Sequence, residues 1–198
     1  MWLDQLFREL KDLFSNTTRE DLCAGLRAIG VDARLAGRGR PEENKTWSNG
    51  SLGIIDVSEG PIRWANVVEW GYSQRDVYYT DYGVPDPRCL PMLEIRSIRM
   101  RESPKFGRVI NVRWKGDDRG LGLGHRLSSD EAIRSAIMNT RDEVRVVANR
   151  DHGCWLIRRE TKAAPSGEQW GCYNAIAEHL LEVHVTGQPA AASNPPSR

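Results

Sequence analysis

The stretch LGIIDVSEGPIRWANVVEW, Leu52 to Trp70, decides the fold class. Before it, apolar residues recur at three- and four-residue steps; from Leu52 onward they alternate, which is the change from helical to strand periodicity. Leu52–Val57 and Ile62–Trp70 read as a hairpin about Glu59-Gly60-Pro61, with Ile62, Trp64, Val68 and Trp70 expected on one face.

C-terminal to it the strand pattern continues. DVYYTDY (Asp76–Tyr82) reads as a strand, and GVPDPRCLP (Gly83–Pro91) as a break, because its three prolines cannot donate to a central ladder. MLEIRSIRMR (Met92–Arg101) and GRVINVRWK (Gly107–Lys115) form a second hairpin, with a bulge expected where the first of them changes phase near Ser97. SSDEAIRSAIMNT (Ser128–Thr140) reads as a helix. EVRVVAN (Glu143–Asn149) and GCWLIRRE (Gly153–Glu160) make a third hairpin. SGEQWGCYNAIAEHLLEV (Ser166–Val183) makes a long helix with Trp170, Tyr173, Ile176, Ala177, Leu180 and Leu181 as its apolar stripe.

On the N-terminal side, MWLDQLFRELKDLF (Met1–Phe14) has one strongly apolar face, and Thr17 with Glu20 forms a capping-box pattern ahead of a second helix ended by Gly30. These two helices are expected to pair, and to pack on the core or on a second copy of the chain. VDARLA (Val31–Ala36) reads as a short strand. The organisation is thus residues 1–36 as helix pair and short strand, 51–184 as an antiparallel domain, and 185–198 as a disordered tail rich in proline, alanine and serine. Strands following strands over short loops imply α+β, with a mainly antiparallel sheet or a half-open barrel.

The bulk numbers exclude more than they identify. A chain of 198 residues buries roughly 70% of its unfolded surface without needing disulfides. Lysine plus arginine at 28 against aspartate plus glutamate at 27 is not a surface built as a whole for polyanions. The four cysteines, Cys23, Cys89, Cys154 and Cys172, form no C-x-x-C pair and read as reduced, buried side chains. No basic-then-apolar leader and no apolar run of roughly 18 residues is present, so a cytoplasmic protein without membrane contact is expected.

GDDRGLGLGHRLSSDEA (Gly116–Ala132) looks like a phosphate cradle, but Gly120, Gly122 and Gly124 are spaced G-x-G-x-G, and His125 stands where a dinucleotide fingerprint needs its third glycine. Ser128 with Glu131 fits a capping box, so the stretch reads as a flexible connector from strand to helix. His125, held among the glycines, is left as a ligand-contact candidate. No histidine or cysteine cluster has metal-ligand spacing, and no metal or cofactor is expected. His179 reads as a solvated residue opposite the stripe of its helix. His152 with Cys154 is the first suspect for thiol chemistry, although a strand position that buries Cys154 leaves it inert.

Two features suit binding. The hairpin from Arg96 to Arg119 is locally basic, with Arg96, Arg99 and Arg113 as the leading candidates for an anionic ligand or acidic partner. The same cations also suit the solvated outer face of a sheet. The aromatic segment around EWGYSQRDVYYTDY contributes Trp70, Tyr72, Tyr78 and Tyr82, amphipathic side chains favoured at interfaces and equally at home packing a sheet. Together these give an expectation of a non-catalytic binding or interaction module that self-associates through its N-terminal helices. The alternatives are an enzyme without a local motif and a weak nucleic-acid or anionic-ligand binder using the Arg96–Arg119 hairpin, nucleic acid being the less favoured partner.

Overall fold

The computed structural model describes residues 18–43, 50–72, 75–89, 93–102, 107–140, 143–149 and 152–182, with backbone alone for 70–72 and 75–76. In chain order the elements are helix α1 (residues 18–28) and the strands β1 (Ala33–Leu35), β2 (Gly50–Val57), β3 (Trp64–Tyr72), β4 (Arg75–Pro85), β5 (Glu94–Arg101) and β6 (Val109–Asp117). After these come the helices α2 (Leu123–Ser129) and α3 (Glu131–Asn139), the strands β7 (Val144–Asn149) and β8 (Cys154–Arg159), and helix α4 (Gly167–Glu182). The α+β class and the three hairpins are present. One helix rather than a pair is described at the N-terminal end; the partner expected over residues 1–14 and the tail from residue 185 lie outside the described residues. No helix among the described residues is long and apolar enough to cross a membrane.

All eight strands join one antiparallel sheet in the order β1-β2-β3-β4-β8-β7-β5-β6. The sheet is open, which corrects the half-open barrel alternative, and both edges are blunted. β1 has only three residues, while the outward N–H groups of Val112 and Trp114 on β6 donate to Asn111 Oδ1 (2.8 Å) and Ser128 Oγ (3.1 Å).

The register sorts side chains onto two faces. One level across the sheet reads Ile55, Ala65, Tyr82, Ile157, Val146, Ile95, nearly all apolar and fully buried. Against this face pack Leu22 and Leu26 of α1, Leu123 and Leu127 of α2, Ile133 and Ile137 of α3, and Tyr173, Ile176 and Leu180 of α4. The opposite face holds a smaller apolar cluster of Ile54, Trp64, Cys154 and Leu156. Trp64 therefore does not share a face with Ile62, as its alternation suggested: Ile62 precedes the strand and joins the main core, whereas Ala65 and Val67 are the core-facing residues of β3.

The phase change at Ser97 is not a bulge. Ser97 keeps its core-facing position because its hydroxyl accepts the N–H of Val144 (2.9 Å), and the register shifts instead between Met100 and Arg101. A second shift lies in β2 between Ser51 and Ile54, where Gly53 has a φ of +114°. A Cβ there would come within 2.9 Å of Arg19 Nη1. The buried Arg19 guanidinium fills this bulge and donates to the carbonyls of Ile54 and Ala36, tying α1 to the β1–β2 edge.

The glycine stretch is a connector from strand to helix only over residues 118–122. Gly122 sits in the left-handed region and opens α2, whose Leu123 and Leu127 are both buried. Ser128 thereby falls inside α2, where its hydroxyl donates to the Gly124 carbonyl (2.6 Å), and Asp130 rather than Ser128 caps α3 by accepting the N–H of Ile133 (3.0 Å).

Candidate interaction surface

Among the described residues, the face of the sheet away from the helices is covered over only part of its width. There the segment from Ala36 to Glu43, ending in the 3-10 turn Pro41–Glu43, lies over β2 and β3: Ala36 packs on the Ile54–Trp64 cluster and Asn66 Nδ2 donates to the Glu42 carbonyl (3.2 Å). Arg40 pins the segment by bonding Glu42 and Asp56, so its pKa is raised mainly by Glu42, and that of Glu42 is lowered in turn.

Beyond this cover, one level of the same face reads Asp81 (β4), Arg158 (β8), Arg145 (β7), Arg96 (β5), Lys115 (β6). Neighbouring strands are about 4.8 Å apart, so four cations stand side by side across about 14 Å. Like charges directly opposite destabilise a sheet, and acids are interleaved accordingly. Asp81 holds Arg158 through two bonds of 2.7 and 2.9 Å. Glu143 takes Arg145 at 2.7 Å and reaches Arg96 at 3.9 Å, and Glu94 reaches Arg145 at 3.9 Å. Burial opposes the charge of Arg158, but the Asp81 carboxylate outweighs it and holds the arginine's pKa above its ordinary value; its guanidinium also lies over the Tyr79 ring at 5.6 Å. At the β6 end Lys115 and Arg113 are exposed and make no ion pair among the described residues.

The residues expected from sequence divide as follows. Arg96 and Arg113 lie on this face, on neighbouring strands. Arg99 points to the helix-covered side and donates to the Thr140 carbonyl. Tyr82 is a core residue, stacked on Tyr173 at 5.2 Å and edge-on to Trp170 at 5.7 Å. Tyr78 shares that side, with its hydroxyl donating to Glu69 Oε1 (3.5 Å) and Lys162 Nζ 4.7 Å above its ring. Trp70 and Tyr72 are on β3, their side chains outside the description. His125 is exposed on α2, a helix packed on the opposite, covered face of the sheet. Arg145, Arg158 and Asp81 were missed, although each occupies the polar phase of its strand's alternation.

Other chemistry has less support. The glycine stretch spends two of its amides on Asp118, which accepts from Gly120 (3.1 Å) and Gly124 (3.2 Å), so they do not face a phosphate. Cys154 lies in the apolar cluster beside Trp64, and burial pushes its thiol up to about 12, so it stays protonated near neutrality. His179, expected to be solvated, instead lies 2.9 Å from Asp130. A cavity of about 240 Å3 between α1 and the segment 161–164, lined by Thr18, Asp21, Leu22 and Lys162 among others, is on the helix-covered side. Among the described residues no group of three or more histidines, cysteines and acids is placed to hold a metal.

Comparison with protein-family models, with curated proteins and with solved structures found no match to this chain.

Proposed function

We propose that this chain is a non-catalytic interaction module whose contact surface is the uncovered half of the sheet, from β4 across β8, β7 and β5 to β6. One observation carries the reading: among the described residues four helices cover one face of an eight-stranded sheet, whereas the other face is covered only over part of its width, and its remaining half bears a row of charges rather than a second layer. A sheet usually buries both faces or solvates one of them with scattered polar residues. Here Arg158 is held by Asp81 and Arg145 by Glu143, which pre-organises these two cations for a partner, with Arg96 exposed beside them.

The test is affinity capture with the tagged full chain and with its Arg96→Glu/Arg113→Glu variant, side by side and quantified by mass spectrometry. A co-purifying protein, the untagged chain itself included, retained by the parent and reduced at least tenfold by the variant is the expected result. Identical sets from both baits overturn the reading.

A further inference from the structure

We infer that the open face of the β5–β6 hairpin takes an extended segment of another protein, laid along the strands, in which acidic residues are followed by apolar ones at two-residue spacing. This rests on the reading of that face as an interaction surface and names the chemistry of its occupant.

β5 and β6 offer three successive levels on this face. The ladder pairs Arg96 with Lys115, Ile98 with Arg113 and Met100 with Asn111, and the levels follow one another at about 6.8 Å along the strands. Ile95, Ser97, Val112 and Trp114 are buried on the helix-covered side, which fixes the phase of both strands between Arg96 and Met100 and between Val109 and Lys115. Arg96, Arg113 and Lys115 are exposed, whereas Ile98, Met100 and Val109 are half-buried. Asn111 turns its side chain back on its own strand to accept the N–H of Val112. The hairpin face therefore grades from cations at one end to apolar side chains at the other.

The cationic end is open to carboxylates. Among the described residues neither Lys115 nor Arg113 makes an ion pair, and Arg96 reaches Glu143 only at 3.9 Å. Glu94 stands one level beyond Arg96, away from Arg113, and Glu143 bonds Arg145 on the far side of β5 from β6, so neither acid lies between the three cations.

An extended chain repeats its side chains on one face at the spacing of these levels. The order acid-x-acid-x-apolar-x-apolar thus sets carboxylates over the Lys115–Arg96 and Arg113 levels and apolar groups over Met100 and Val109. Arginine and methionine are also enriched where proteins meet proteins. A single-stranded nucleic acid fits this face less well, because it carries a phosphate at every unit, the apolar end included, and relies on aromatic rings to stack its bases. Tyr79, the aromatic ring described on this half of the face, already lies beneath the Arg158 guanidinium at 5.6 Å.

Fluorescence anisotropy of the full chain with labelled probes tests the inference. The probes are the peptide Glu-Ser-Glu-Ser-Leu-Ser-Leu, its counterpart Lys-Ser-Lys-Ser-Leu-Ser-Leu and an oligouridylate of the same number of units. The parent is expected to bind the acidic peptide, more weakly as salt rises, and to bind the other two about tenfold less tightly or worse. Arg113→Glu/Lys115→Glu, with thermal melting to verify folding, should lose about tenfold or more in affinity for the acidic peptide and gain affinity for the basic one. Met100→Ser should weaken binding without altering its salt dependence, since it removes apolar contact alone. A parent that does not bind the acidic peptide overturns the inference, as does an affinity left unchanged by the charge reversal or by Met100→Ser. Tighter binding of the oligouridylate overturns it in favour of a nucleic acid. In each case a protein captured by the parent and lost with Arg96→Glu/Arg113→Glu still supports the interaction-module reading, so the two fail separately.

Discussion

The Asp130 carboxylate joins two helices: Oδ1 accepts the N–H of Ile133 in the first turn of α3 (3.0 Å), and Oδ2 lies 2.9 Å from Nε2 of His179 on α4. Since a carboxylate only accepts, Nε2 carries the proton in this bond. The helix N–H first, and His179 second, hold the Asp130 carboxyl below the ordinary carboxylate range.

Replacing Asp130 with alanine removes the cap and should cost about 1 kcal/mol near neutral pH. A carboxylate with a depressed folded pKa contributes its stability above the unfolded pKa of about 3.9 and loses it as pH falls through the folded value. The gap between parent and variant should therefore narrow as pH falls below about 4, as urea titrations at several pH values will measure. A gap that widens in acid contradicts this assignment.

Burial pushes the thiols of both Cys154 and Cys172 up to about 12, and Cys23 and Cys89 are buried as well. A disulfide reagent applied to native protein at about pH 8 should react negligibly, with four thiols released for reaction only on unfolding. Rapid native modification of Cys154 would return the His152–Cys154 pair to consideration as a catalytic couple.

Trp64 lies flat over Gly83, its strand neighbour, and a Cβ on Gly83 would come within 1.9 Å of the indole. Gly83→Ala should destabilise the fold by about 1–3 kcal/mol through overpacking. Shrinking the ring relieves the clash, so Gly83→Ala combined with Trp64→Leu should cost less than the sum of the two single changes. Additive costs from chemical denaturation would show that the indole is not what excludes a side chain at residue 83.

How much could be read in advance depended on the range of the interaction that decides each feature. Hairpins were legible because β2–β3, β5–β6 and β7–β8 pair strands that are neighbours in sequence, and alternation reports them directly. The capping box at Ser128 and Glu131 was locally convincing and failed for a tertiary reason: burial of Leu123 and Leu127 starts a helix one turn earlier, and Ser128 is then needed at the β6 edge.

The contact surface was legible only in part for the same cause. Arg96 and Arg113 stood out as members of a basic hairpin, whereas Arg145, Arg158 and Asp81 become their neighbours only through the β5–β7 and β4–β8 pairings, which no local pattern encodes. Tyr82 looked like an interface aromatic because its sequence neighbours are polar, yet its partners Trp170 and Tyr173 arrive from the last helix.

The strand order has a consequence for synthesis on the ribosome. β4 and β5 are consecutive in the chain but not in the sheet, because the β7–β8 hairpin stands between them. The meander β1–β4 and the hairpin β5–β6 leave the ribosome as two unconnected pieces, each with an unpaired inner strand, and neither can join the other until residues 144–159 have emerged. Such long-range closure is slow, and exposed strand edges in the interim invite association with other nascent chains. A chain interrupted before β8 therefore lacks more than its last helix: it has lost the insert that makes its strands one sheet.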